Sequence, residues 1–159
     1  MIFVTLGSQK FPFNRLLQKI DALIEDGTIT EPVFAQTGAS DYVPKHYEYR
    51  PFLDREEFAR QMSLCETVIT HGGTGAIIGA VKKGKKVIAV PRLAKFGEHV
   101  DDHQLQLIAQ FREQNLICGL HSCEVLGDAL RDIQTAEFDT YTSNTEQIIN
   151  RIELFLQTI

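Results

Sequence analysis

Short apolar runs alternate with segments in which apolar residues return every three or four positions. Residues 2–6 form the first run, ending at Gly7-Ser8; beyond Pro12, residues 13–26 carry Leu16, Leu17, Ile20, Leu23 and Ile24 at helical spacing. Residues 32–37 predict a second strand stopped by Gly38, and residues 47–52 a weaker third one interrupted by Pro51. Asp54 can cap a helix over 55–65, with Glu57 as its capping-box partner and Phe58, Met62 and Leu64 on the buried side. The β-branched run Thr67, Val68, Ile69, Thr70 enters His71-Gly72-Gly73-Thr74-Gly75, and a helix over 74–83 follows, stopped by Gly84. Residues 86–90 predict a strand closed by Pro91. Residues 98–115 read as a helix through Leu105, Ile108, Ala109 and Phe111, and 116–118 as a short last strand. Two further helices, 123–133 and 145–156, flank the polar stretch 134–144.

Parallel strands need crossovers, so this alternation predicts an α/β fold with a mostly parallel sheet covered by helices on both faces. A chain of 159 residues has room for one such domain and not for two ordinary ones. Ligands of such sheets bind beyond the carboxyl ends of the strands, where both glycine-containing turns, Gly7-Ser8 and 71–75, are expected.

Composition narrows the ligand. With 43% apolar and 23% charged residues the chain has the balance of a soluble globular protein. No apolar run approaches the roughly 18 residues of a membrane span. The net charge of -5, with lysines clustered only at 82–86, argues against nucleic acid and leaves a nucleotide or an uncharged surface. Strand-forming residues begin at Met1-Ile2-Phe3-Val4 with no signal peptide before them, and the three cysteines are an odd number. These features predict a cytosolic chain with reduced thiols.

Glycines after a strand let backbone approach a ligand, and the N-terminus of the next helix offers unpaired N–H groups and a partial positive charge. Together they suit a phosphate, to which Thr74 and the His71 ring can add donors; the alternative is a tight turn with close helix-to-strand packing. Other motifs fail on context. The stretch 79–86 has P-loop-like glycine and lysine but no Ser/Thr for magnesium, and it lies at a helix end. No G-x-G-x-x-G follows the first strand, and no G-x-S-x-G accompanies His71-Gly72-Gly73. A second polar group, Gly97-Glu98-His99-Val100-Asp101-Asp102-His103-Gln104, opens a helix after a strand. His99 and His103, four apart, would suit a metal, but an acidic, capped helix start explains them better, and Cys118, His121 and Cys123 form too small a set for zinc. Carboxylates and an amide here suit sugar hydroxyls.

At these segments the chain resembles the glycosyltransferase family 28 C-terminal domain, the nucleotide-sugar-binding half of GT-B enzymes. It is most similar to small stand-alone members: the cytosolic subunit of the dolichol-linked UDP-GlcNAc transferase and bacterial capsular and exopolysaccharide transferase subunits. The resemblance rests on Val4-Thr5-Leu6-Gly7-Ser8 with Phe11, Gln36-Thr37-Gly38, 69–75, Val90-Pro91-Arg92 and 97–104, in the family's order over roughly residues 1–120. It implies a single Rossmann-like domain, with Gly7 and Ser8 beside the phosphates of a UDP-sugar and Phe52 and Leu53 near the uracil. His71, as diphosphate stabiliser, and Gly72, Gly73, Thr74 and Gly75 would face the diphosphate, with Glu98, Asp101, Asp102 and Gln104 toward the sugar. It further implies inverting transfer to a lipid-linked acceptor without metal or other cofactor. No catalytic base is assigned in this chain; base and acceptor site would come from a membrane-anchored partner subunit that recruits the chain to the cytoplasmic face of the membrane. Where the family usually carries a serine after H-G-G-x-G and an acidic residue three positions on, this chain has Ala76 and Gly79. That departure motivates an alternative, a non-catalytic enhancer subunit of a membrane-bound transferase. Phe11, Phe13, Leu93 and Phe96 are candidates for the partner surface or for packing under their own loops, and the last helix can dock on this domain or reach the partner.

Overall fold

The computed structural model describes residues 1–7, 9–140 and 152–153. Its described strands are β1 (Ile2–Thr5), β2 (Val33–Gln36), β3 (Glu48–Arg50), β4 (Thr67–His71), β5 (Lys86–Val90) and β6 (Cys118–Gly119). They form one all-parallel sheet in the order β3-β2-β1-β4-β5-β6. The connections between strands carry α1 (Asn14–Glu25), α2 (Arg55–Leu64), α3 (Thr74–Lys82) and α4 (His103–Glu113), with a 3-10 turn at Ala94–Phe96; a 3-10 turn at Cys123–Val125 and α5 (Leu126–Asp132) follow β6. This is the expected Rossmann-like arrangement.

The period-two pattern of β1 explains how the sheet is covered. Ile2 and Val4 point into one core with Leu16, Leu17 and Ile20 of α1 and Leu126 and Leu130 of α5. Phe3, between them, points into the other, with Met62 of α2, Ile77 and Ala80 of α3, and Ile108 and Phe111 of α4. Both faces are therefore apolar, which is why the strands read as continuous apolar runs rather than alternating ones.

The structure departs from the sequence reading in several places. The last strand is Cys118–Gly119 rather than 116–118, and Leu64, expected on the buried side of α2, is exposed. The helix expected from residue 98 begins only at His103, because the polar residues before it serve local turns: Asp102 Oδ1 accepts from Ala94 N–H at 2.9 Å and Asp101 Oδ1 from His103 N–H at 3.0 Å. Asp54 caps α2 by accepting from Glu57 N–H at 2.8 Å, but the Glu57 carboxylate turns to Gln61 Nε2 instead of back to the cap, so half the capping box forms. The expected C-terminal helix lies outside the described residues except Ile152 and Glu153, which are helical.

The chain lays down β1, β2 and β3 toward one edge, then returns to place β4 on the other side of β1. Connections leaving β1 and β4 thus diverge, and a crevice opens between their carboxyl ends. Gly7 and His71 stand on its two sides.

Candidate functional site

His71 is the last residue of β4, and its side chain is 4% exposed. Two glycines make room for the ring. Gly7, with φ +71°, lies so close that a Cβ there would be 2.7 Å from Nε2, and a Cβ on Gly73 would collide with Cε1. The imidazole therefore fills the gap between the β1 turn and the start of α3, where its Nε2 sits.

The ring's other nitrogen meets an amide. Gln104, on the first turn of α4 and 3% exposed, places Nε2 3.2 Å from His71 Nδ1. Its Oε1 accepts from Gly72 N–H at 2.9 Å and from Arg92 N–H at 3.0 Å. Burial, followed by the positive charge of Arg92 and the neighbouring His99, lowers the His71 pKa to about 3, so the ring is neutral near pH 7.

Gly73 caps α3 without any side-chain hydrogen bond, and the first turn has no acidic residue. Helix geometry leaves the N–H groups of Thr74, Gly75 and Ala76 without intrahelical partners; the first such bond here is Ile77 N–H to Gly73 O at 3.1 Å. Thr74 and Ala76 are half-buried and Gly75 is exposed with open space around it. A neutral ring donor and an uncapped helix start thus share the edge of the crevice, an arrangement that suits an anionic group.

The polar group of residues 97–104 divides. Glu98, 3% exposed, forms a two-pronged ion pair with Arg15 of α1 at 3.0 and 3.1 Å and accepts from Leu93 N–H at 3.0 Å. Its carboxylate and the Gln104 amide, expected toward a sugar, are engaged within the protein. Asp101 and Asp102 remain more accessible. Asp101 lies between the two histidines of the i, i+4 pair, 3.2 Å from His99 Nδ1 and 3.3 Å from His103 Nε2. Cys65, Cys118 and Cys123 are free thiols, and burial raises the pKa of each.

Phe52 and Leu53 follow β3 and border a cleft of about 560 Å³ with Arg50, Asp54 and Arg60; Phe52 is exposed and Leu53 half-buried. Ser8 lies outside the described residues. A groove of about 820 Å³ between Val81, Lys86, Leu116 and Phe138 lies at the amino ends of the strands, away from both glycine turns.

Sequence reasoning did not single out Arg92 as a site residue. The side chain is 1% exposed: Nη2 donates to Leu6 O at 2.7 Å, and Nη1 to Phe11 O at 2.9 Å and Glu98 O at 3.3 Å, while the guanidinium lies over the Phe13 ring. Burial lowers its pKa to about 10, so it stays charged at neutral pH. It ties the turn after β5 to the turn after β1. Val90-Pro91-Arg92 is part of the motif that carries the family resemblance, but nothing in the sequence named the carbonyls the arginine would hold.

The model of the glycosyltransferase family 28 C-terminal domain matches residues 1–159. The chain belongs to this family. Among curated proteins it is 24% identical, over 96% of its own length and 82% of the relative's, to the UDP-N-acetylglucosamine transferase subunit ALG13 of Yarrowia lipolytica. It is 29% identical to the protein of the same name in Kluyveromyces lactis, over 56% of this chain and 46% of that one. In this family 28 chain no helix among the described residues is long and apolar enough to cross a membrane.

The aromatic residues considered for a partner surface also separate. Phe13 and Leu93 are buried, and Phe11 is half-buried beside the His99 ring. Phe96 is exposed, flanked by Arg15 and Lys95, and Val100 nearby in sequence is 72% exposed.

Proposed function

We propose that this chain is the donor-binding subunit of a two-component glycosyltransferase that moves a sugar from UDP to a lipid-linked acceptor. The observation that carries the reading is the neutral His71 ring held between the β1 turn and the uncapped start of α3 on a family 28 fold. The names of the two relatives make UDP-N-acetylglucosamine the first donor to test.

In this reading the diphosphate lies against Gly7, Ser8, Gly72, Gly73, Thr74 and Gly75, the uracil lies by Phe52 and Leu53, and Asp101 and Asp102 line the sugar side. As the sugar–phosphate bond breaks, negative charge grows on the diphosphate. The N–H groups of α3 and the His71 Nε2–H stabilise that charge. A base on a membrane-anchored partner subunit takes the proton from the acceptor hydroxyl.

Calorimetric titration with UDP and UDP-N-acetylglucosamine tests this. Wild-type protein is expected to bind both. His71→Ala should weaken UDP by about tenfold or more, the worth of a charge-assisted hydrogen bond, and slow transfer in the assembled enzyme on the order of a hundredfold. No UDP binding by the chain, alone or with its partner, would sink the proposal.

Ala76 and Gly79, which supply neither a hydroxyl nor a carboxylate to α3, favour a second reading, a non-catalytic subunit that enhances a membrane-bound transferase. Transfer by the assembled enzyme that is unchanged in His71→Ala would select it.

A further inference from the structure

We propose that Gln104 is a positioning residue that acts through His71, holding the ring in the tautomer whose proton is on Nε2, where the β1 turn meets the start of α3. The role given to that proton rests on the donor-site reading above; the tautomer itself does not.

The argument starts from groups whose chemistry leaves no choice. The backbone N–H groups of Gly72 and Arg92 can only donate, and both point at one atom of the Gln104 amide, at 2.9 and 3.0 Å. That atom must be the oxygen, because a flipped amide would oppose its own NH2 to two N–H groups. The amide nitrogen is therefore the atom 3.2 Å from His71 Nδ1, and it too can only donate. Nδ1 must accept, and a neutral imidazole that accepts at Nδ1 carries its proton on Nε2.

Turning the ring over would not escape this assignment. Gly7 and Gly73 bound the imidazole so closely that neither has space for a methyl group, and Gly72 lies so near Gln104 that a Cβ there would be 2.6 Å from the glutamine Cβ. The ring is neutral near pH 7, so the side of the imidazole that holds its single proton decides whether Nε2 presents a donor or a lone pair to an anion. A lone pair there would repel a phosphate oxygen.

Gln104→Glu is the sharpest variant. One carboxylate oxygen can still accept from Gly72 and Arg92, while the other replaces a donor with an acceptor at Nδ1. The full chain, labelled with 15N at histidine, reports the ring directly, with the His71 signals assigned by their loss in His71→Asn. In the ligand-free wild type a protonated, pyrrole-type signal is expected at Nε2 and a pyridine-type signal at Nδ1. In Gln104→Glu the proton should appear on Nδ1, and UDP alone should bind about tenfold more weakly or worse.

A wild-type ring protonated at Nδ1, or one whose protonation Gln104→Glu leaves unchanged, overturns the proposal, and the wild-type spectrum decides even where the variant does not fold. Loss of affinity confined to the UDP-sugar, with UDP unaffected, would instead make Gln104 a direct sugar contact and also overturn it. Wild-type protein that binds no UDP removes the role of the Nε2 proton whatever the spectrum shows, so failure of the donor-site reading is distinguishable from failure of the tautomer assignment.

Discussion

Burying an imidazole sets its charge. An unfolded chain protonates His71 near pH 6.5, whereas the folded chain resists until about pH 3 because the ring is desolvated and lies near the positive charge of Arg92 and the His99 ring. Between those values the unfolded state holds more protons, so acid favours unfolding. The stability tied to the neutral ring is fully present above about pH 6.5 and is lost as pH falls toward 3, with a slope that approaches ~1.4 kcal/mol per pH unit. Urea unfolding of wild type and His71→Asn at several pH values between about 4 and about 7 checks this. Their difference in free energy should shrink steadily as pH falls; a constant difference would show that the folded ring protonates as readily as the unfolded one.

At the scale of elements, the turn from β4 into α3 contains three glycines that are not equivalent. Gly73 abuts the His71 ring, so Gly73→Ala forces the ring or the helix start to move and should cost about 1–3 kcal/mol. Gly75, inside the first turn of α3, has nothing within reach of a Cβ, so Gly75→Ala should leave the fold intact and add about 0.5–1 kcal/mol through helix propensity. Thermal melts of the two variants should therefore move in opposite directions, and a matching fall would refute the distinction. The sequence displayed this strand-turn-helix because β-branched residues, glycines and a small-residue helix each leave a local pattern. It did not display the late start of α4, since Glu98, Asp101 and Asp102 look like acidic residues of a first helical turn. Their bonds to Arg15, Leu93, Ala94 and His103 instead make a loop. Nor could spacing show that Gln104 turns inward, because its three partners come from β4 and the turns after β4 and β5.

Across the whole molecule, the crevice depends on holding together two halves that the chain builds separately, one ending at β3 and the other beginning with β4. Backbone pairing joins β1 to β4, and Thr70 Oγ1 adds a bond to Thr5 O at 3.0 Å, but beyond the strand ends the turns must be held by side chains. Arg92 bridges them by donating to Leu6, Phe11 and Glu98 carbonyls, and the Arg15–Glu98 pair adds a second tie from α1 to the loop before α4. A buried charge used this way is costly to desolvate, and its removal also leaves carbonyls without partners. Arg92→Met keeps much of the side chain's bulk and deletes those bonds, so it should destabilise by about 3 kcal/mol. The spatial pattern is the more telling outcome. Amide hydrogen exchange should speed up in residues 9–13 and 93–99, whose positions relative to each other rest on the guanidinium, while β2 and β3, on the far side of β1, should change only through global unfolding. Faster exchange spread evenly over the sheet would mean that Arg92 stabilises the domain as a whole. Acceleration confined to the two turns would show that it holds the crevice in shape.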